Sequence, residues 1–257
     1  MSHISFSAFK IFNECPYKYK LIYEDKVQRA AGSLHTSFGT ALHEAAELKV
    51  QDSNTNEVDV FLNKFESEVN LLKEQQVNIE QKLLDEMREQ GKMLAPLIIP
   101  ELQKSFPGFK LLAAEEDILE EIKEIPGLGV NFKGFIDLII QTPDSNIHII
   151  DWKTCAWGWD SQKKSDPLVT YQLTFYKHFY AQKHKIDPKN IETYFALLKR
   201  TAKKDNVEIF RVTSGTKKTQ NAFNLLKNSL YNINKKNFPK IRTSCTYCDF
   251  KKTKECP

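Results

Sequence analysis

The sequence contains no apolar run long enough to span a membrane, no internal repeat and no low-complexity tract. Its opening residues, MSHISFSAFK, lack the basic and apolar regions of a secretory signal, which leads to the expectation of a cytoplasmic protein with no membrane partner. An excess of one charge is also missing. Lys and Arg number 37 against 33 Asp and Glu, a formal net charge of +4, which gives only a weak pull toward a polyanionic partner. Cysteine is scarce, with 5 residues, and in a reducing compartment these are not expected to pair as disulfides. What is present is a hydrophobic fraction of 41% over 257 residues, enough for a true core in a single domain, 1–257.

Helical and strand periodicities alternate along the chain. Residues 5–23 carry apolar residues at helical spacing, with Pro16 predicted to divide them into two short helices. SFGTALHEAAELKV (37–50) reads as a helix starting near Thr40. The polar amphipathic stretch 58–93 follows, with Phe61, Leu62, Phe65, Val69 and Leu72 on one face, and Pro96 and Pro100 are expected to interrupt it. Strands are predicted at 110–125, 130–141 and 147–154, separated by PGLG (126–129) and TPDSN (142–146). Asp166-Pro167 opens a helix to about Lys183; strands follow at 191–200 and 207–213, then a helix over 216–234. This order predicts an α/β fold around a central mixed sheet flanked by helices, with residues 52–107 as a helical insertion.

The stretch GFIDLIIQTPDSNIHIIDWKT (134–154) places charged groups where a core strand pair should be apolar. If TPDSN is a five-residue loop, Gln141 faces Ile147, Ile139 faces Ile149 and Asp137 faces Asp151. Opposed residues share a face with Cβ atoms about 5 Å apart, and Lys153, two positions on, shares that face. Two carboxylates at that separation repel unless a proton or a cation lies between them. Oxygen donors favour Mg2+ or Mn2+. If PGLG is a four-residue loop, Ile118 faces Asp137 and Glu116 joins the same face; a one-residue slip substitutes Glu115.

An acid in GFID followed by DWK on the next strand resembles the PD-(D/E)XK nuclease superfamily, and within it the RecB-like exonucleases of the iron–sulfur branch, similar to those of CRISPR adaptation and to the AddB nuclease domain. GTALHEAAE resembles the family's histidine motif, with His43 as ligand. Glu116 matches its first-strand acid, and YQLTFY resembles its Q-x-x-x-Y motif through Gln172 and Tyr176. The resemblance implies a restriction-endonuclease-like core. It implies a metal held by Asp137, Asp151, His43 and the Trp152 carbonyl, which polarises the scissile phosphate and activates water. Lys153 would orient that water or stabilise charge building on phosphorus, and Glu116 would position water or a second metal. Gln172 and Tyr176, four apart on one helix face, would steady the site and touch nucleic acid.

SCTYCDFKKTKECP supplies Cys245, Cys248 and Cys256, one thiolate short of a four-ligand site; Cys15 is the obvious fourth. Ligand count alone serves zinc equally well. The resemblance favours a [4Fe–4S] cluster that staples residues 1–25 to 238–257. Cys155, directly after DWKT, reads as a packed thiol. LKRTAKK (198–204), Lys235-Lys236 and KKTK (251–254) are basic segments able to guide nucleic acid, and Trp157 and Trp159 either stack on unpaired bases or pack a loop.

The expected function is therefore a metal-dependent DNA exonuclease working from single-stranded ends. The rivals are a zinc-stapled structure-specific endonuclease and a non-catalytic nucleic-acid-binding subunit of a helicase–nuclease, recombination or CRISPR adaptation complex.

Overall fold

Ser5 begins the order of elements, because its hydroxyl accepts the Ala8 amide at 3.2 Å and so caps a helix directly behind an extended segment. In the computed structural model, which describes residues 2–27, 32–127, 129–246 and 248–257, these are β1 (His3–Ser5) and α1 (Phe6–Glu14). Pro16 then opens α2 (Pro16–Tyr19), which runs into one π-helical turn, Lys20–Glu24. Helix α3 (Leu34–Gln51) starts earlier than the apolar pattern predicts, because Ser33 and Thr36 form a capping box. Two helices make the insertion, α4 (Glu57–Glu74), capped by Asn56, and α5 (Gln81–Ser105). Strands β2 (Lys110–Glu121), β3 (Asn131–Gln141) and β4 (Ile147–Cys155) follow. The chain continues through α6 (Ser161–Ser165), α7 (Pro167–His184), β5 (Ile191–Lys199), β6 (Val207–Arg211) and α8 (Thr216–Asn234).

Pro96 and Pro100 do not interrupt α5. The prolines are four apart and lie toward solvent, where the carbonyls they leave unbonded can be hydrated. Leu94, Ala95, Ile98 and Leu102 are buried on the opposite face, and that burial offsets the cost of about 3 kcal/mol for an interior proline.

The mixed sheet has helices on both faces. One core lies between the sheet and α1, α7 and α8; it includes Phe132, Ile149, Phe175, Phe179, Phe195 and Leu226. The other lies between the sheet and α3, α4 and α5, with Phe38, Phe61, Phe65, Ile140, Ile150 and Trp152. No helix among the described residues is long and apolar enough to cross a membrane.

Strand β3 carries the pairing that positions the site. Its whole length is antiparallel to β2, and on the other edge it has two partners in turn. Residues 131–133 pair in parallel with β1, and residues 138–141 pair antiparallel with β4, in the register expected of a five-residue TPDSN loop. Between them, Gly134 to Asp137 have no ladder partner on that edge. Beyond this fork, β4 continues in parallel with β5, and β6 closes the sheet antiparallel to β5. The register of β2 differs from expectation. Glu116 pairs with Ile136 and Ile118 with Gly134, because the connection runs from 122 to 130 and is closed by an Ile122 amide to Val130 carbonyl bond of 3.1 Å. Leu128 of the PGLG turn lies outside the described residues.

Helices α4 and α5 cross at Gly91, where an added Cβ would sit 1.9 Å from Phe61 Cζ. Phe61 is itself fully buried between Phe38 and Phe65 and has nowhere to move. Gly91→Ala gains about 1 kcal/mol of helix propensity but overpacks this contact at the upper end of the ~1–3 kcal/mol range. A net loss of roughly 2 kcal/mol in urea unfolding is expected, with the insertion the first part to expose its amides to hydrogen exchange.

Candidate active site

Alternation along β4 turns Ile147 and Ile149 into the first core and Ile150 and Trp152 into the second, which puts Asp151 and Lys153 on the side of α7. In β3 the alternation breaks. Ile136 faces the first core while Leu138, two residues on, faces the second, so the strand turns over at Asp137. Its neighbour β2 turns over beside it at Glu115, whose φ of 53° is left-handed. Asp137 is thereby aimed into the fork, where its Oδ2 accepts the Trp152 amide at 2.8 Å. A side-chain acceptor thus replaces the backbone carbonyl that a continued β3–β4 ladder would supply.

Five other predicted residues converge on the fork. His43, on α3, places Nδ1 3.7 Å from Asp137 Oδ2. Asp151 Oδ1 accepts the Gln172 amide at 2.8 Å, and Gln172 also bonds the Tyr176 hydroxyl at 3.1 Å. Lys153 Nζ lies 2.5 Å from Asp151 Oδ2. That ammonium is the one partner of the buried Oδ2 among the described residues. The glycine of GFID has its reason here: a Cβ on Gly134 would lie 2.8 Å from Tyr176 Cε1, so only glycine lets the tyrosine ring reach the fork.

Glu116 does not join this group. The shifted register pairs it with Ile136 and carries it away from the fork to the C-terminal end of α7, where its carboxylate contacts Lys183 Nζ at 2.8 Å and His184 Nε2 at 2.6 Å. Burial works against its charge, but the hydrogen bonds from Lys183 and His184 outweigh it and hold the carboxyl below its usual range. Glu115, the one-residue alternative, is the acid whose charge acts on Asp137 and His43. Glu47 acts on Asp137 as well and was missed; it stands one helical turn after His43, so the i,i+4 spacing in HEAAE carried the signal.

Burial dominates the electrostatics. It pushes both Asp137 and Asp151 up to about 6, against the opposing pull of Lys153. Burial also lowers His43, which favours the neutral imidazole, a potential ligand. Two protonation-prone carboxylates, a neutral imidazole and a backbone carbonyl form an oxygen-rich donor set that suits a hard divalent cation. Among the described residues no three His, Cys, Asp or Glu side chains already stand at metal-holding separations, and the Lys153 ammonium is the cation beside Asp151 Oδ2.

The predicted cysteine site gathers at the other end of the molecule. Cys15, Cys245, Cys248 and Cys256 all line one cavity of about 270 Å3, and all are free thiols. The chain ends are joined there by the Tyr17 hydroxyl on the Glu255 carbonyl (3.1 Å) and the Ser244 hydroxyl on the Glu14 carbonyl (2.6 Å). The donor set fits a thiolate-ligated metal in kind and place but not in spacing; Tyr247 lies outside the described residues. Trp159 packs on Phe195 and Phe210, whereas Trp157 is 76% exposed.

The family model of the PD-(D/E)XK nuclease superfamily matches residues 3–253. The chain belongs to this superfamily. Among solved structures, a candidate exonuclease from Eubacterium rectale is similar over 96% of this chain and 86% of its own, at 15% identity and a TM-score of 0.62, a likeness of fold. The crystal structure of SSO0001 matches 95% of this chain and 93% of its own at 17% identity, with a TM-score of 0.39. Among curated proteins none matches. A nuclease of this superfamily acts on nucleic acid, and the mixed α/β core agrees with a restriction-endonuclease-like fold.

The two raised carboxyls have a measurable cost. With folded values of about 6 against an ordinary 3.8, they hold protons more tightly folded than unfolded. Their stabilisation is therefore full below about pH 4 and lost as pH rises through about 6. In metal-free protein, melting temperature is expected to fall across that window, and the fall is expected to be smaller in Asp151→Asn. Parallel pH profiles for the two proteins would contradict this reading.

Proposed function

We propose that this chain is a divalent-metal-dependent DNA exonuclease that works from single-stranded ends. The observation that carries the reading is the convergence of Asp137, Asp151 and Lys153 at the fork of β3 and β4, in a chain of the PD-(D/E)XK nuclease superfamily. Asp137, Asp151, His43 and the Trp152 carbonyl would hold Mg2+ or Mn2+. A cation there supplies Lewis-acid polarisation of the scissile phosphate. Lys153, released from Asp151 when the carboxylates take a cation, orients the attacking water and offsets charge building on phosphorus. Gln172 fixes Asp151 Oδ1 and is steadied in turn by Tyr176. Glu115 takes the water-positioning role first expected of Glu116, and Glu47 assists it. The preference for single-stranded ends is supported by the absence of a sequence-reading motif and by the insertion, whose α5 reaches the ends of β4 and β5 through Met87 and Gln90 and narrows the approach.

The four cysteines are proposed to hold a [4Fe–4S] cluster, with zinc as the alternative. Support comes from their shared cavity and from the hydrogen bonds that already join the chain ends around it.

The test of activity is digestion of end-labelled single- and double-stranded DNA with Mg2+ and with Mn2+. Lys153→Ala is expected to lower kcat by on the order of 10²–10³-fold with an unchanged circular dichroism spectrum; full activity in that variant would remove Lys153 from the chemistry. For the cysteines, metal analysis of protein purified without oxygen is expected to give brown, iron- and sulfide-containing material. Cys248→Ser is expected to lose the colour and several degrees of melting temperature, about what the loss of a structural metal site implies for a domain of this size. Colourless protein with stoichiometric zinc would assign the site to zinc.

A further inference from the structure

Beyond the fork, along the end of β4, lies a cavity of about 260 Å3 lined by His35, Phe38, Met87, Thr154, Cys155, Ala156 and Arg200. Arg200 is the cation of interest. Its backbone amide is fixed on the Cys155 carbonyl at 3.0 Å, and its guanidinium Nη1 donates to the neutral Gln90 Oε1 of α5 at 3.0 Å. No carboxylate pairs with Arg200 among the described residues, whereas its neighbour Lys199 is tied to Glu208 at 3.2 Å. A guanidinium positioned by a neutral amide keeps its charge and most of its N–H donors for an outside anion.

The cavity also lies in line with the catalytic fork. His35, Gly39 and His43 are spaced four apart and form one stripe of α3. Gly39 permits the close approach of α3 to β4, since a Cβ there would meet Thr154 Oγ1 at 3.1 Å. From His43 to His35 the stripe covers about 12 Å of helix; from Asp151 to Thr154 the strand covers about 10 Å. Both routes put the cavity too far from the fork for one phosphate to occupy both places, and the cavity lies on the α3 face of the sheet, the face from which His43 reaches the fork.

We propose that this cavity is a second phosphate subsite, in which Arg200, held by Gln90 and flanked by His35 and Thr154, binds a backbone phosphate of the same strand whose scissile phosphate lies in the fork. The proposal rests on the nuclease reading and deepens it. The substrate it implies is an oligonucleotide rather than a mononucleotide. It also gives the insertion a direct role, since Gln90 comes from α5 and aims the guanidinium.

The experiment is anisotropy of a fluorescent single-stranded oligonucleotide, with calcium in place of magnesium, titrated against salt and run beside magnesium-dependent cleavage by the unaltered protein. Loss of one phosphate contact to a single strand lowers the slope of log K against log salt by about 0.7. That decrease, with weaker binding, is expected for Arg200→Gln. Gln90→Glu is expected to do the same by pairing the guanidinium internally, and it leaves the fold's packing in place should Arg200→Gln prove unstable. Arg200→Lys is expected to keep the slope. An unaltered protein that binds and cleaves, with both Gln90→Glu and a folded Arg200→Gln matching its slope, overturns the subsite alone. An unaltered protein that neither binds nor cleaves overturns the nuclease reading and the subsite together.

Discussion

The bond on which the site depends is that between the Asp137 carboxylate and the Trp152 amide. A sheet edge left open in the interior would strand backbone donors without partners, at a cost of a few kcal/mol each. Here the amide facing the gap is taken by a side chain, so β3 and β4 can part while the donor stays satisfied. The parting is held open from the other side by β1, which occupies the edge of β3 that β4 has left. Fork, bond and wedge are one arrangement. It explains why carboxylates sit at the end of two otherwise apolar strands.

Charge in the fork is poised rather than satisfied. Two carboxyls held near 6 by burial cannot both be comfortably ionised around a single ammonium. Lys153 is the counter-ion of Asp151 in this arrangement. Carboxyls displaced from their ordinary protonation by burial are the kind of group on which the proposed chemistry would draw.

Much of this was legible in the sequence because the TPDSN loop is short, and a short loop fixes register. Counting gives the ladder from Leu138–Ile150 to Gln141–Ile147, which stops one pair short of the expected Asp137–Asp151 pairing; Asp137 instead bonds the Trp152 amide. The helix start at Asp166-Pro167 and the Gln172–Tyr176 pair are likewise local signals. The failures share a cause, which is distance along the chain or a broken period. Glu116 was placed by a loop length that the fold does not use, and the face inversion at Glu115 and Asp137 has no signature in an alternating pattern. Strand β1 is three residues long and finds its partner only through tertiary structure. The prolines of α5 were overruled by the packing of the opposite helix face.

The wedge has a temporal consequence. Strand β1 is separated from its hydrogen-bonding partner β3 by the whole helical insertion, and the tie from Ser244 to Glu14 joins segments further apart still along the chain. Until β1 docks, the edge of β3 that it occupies is open to further pairing with β4. Formation of the fork therefore waits on a contact of long sequence separation, the kind that loop-closure entropy makes slow.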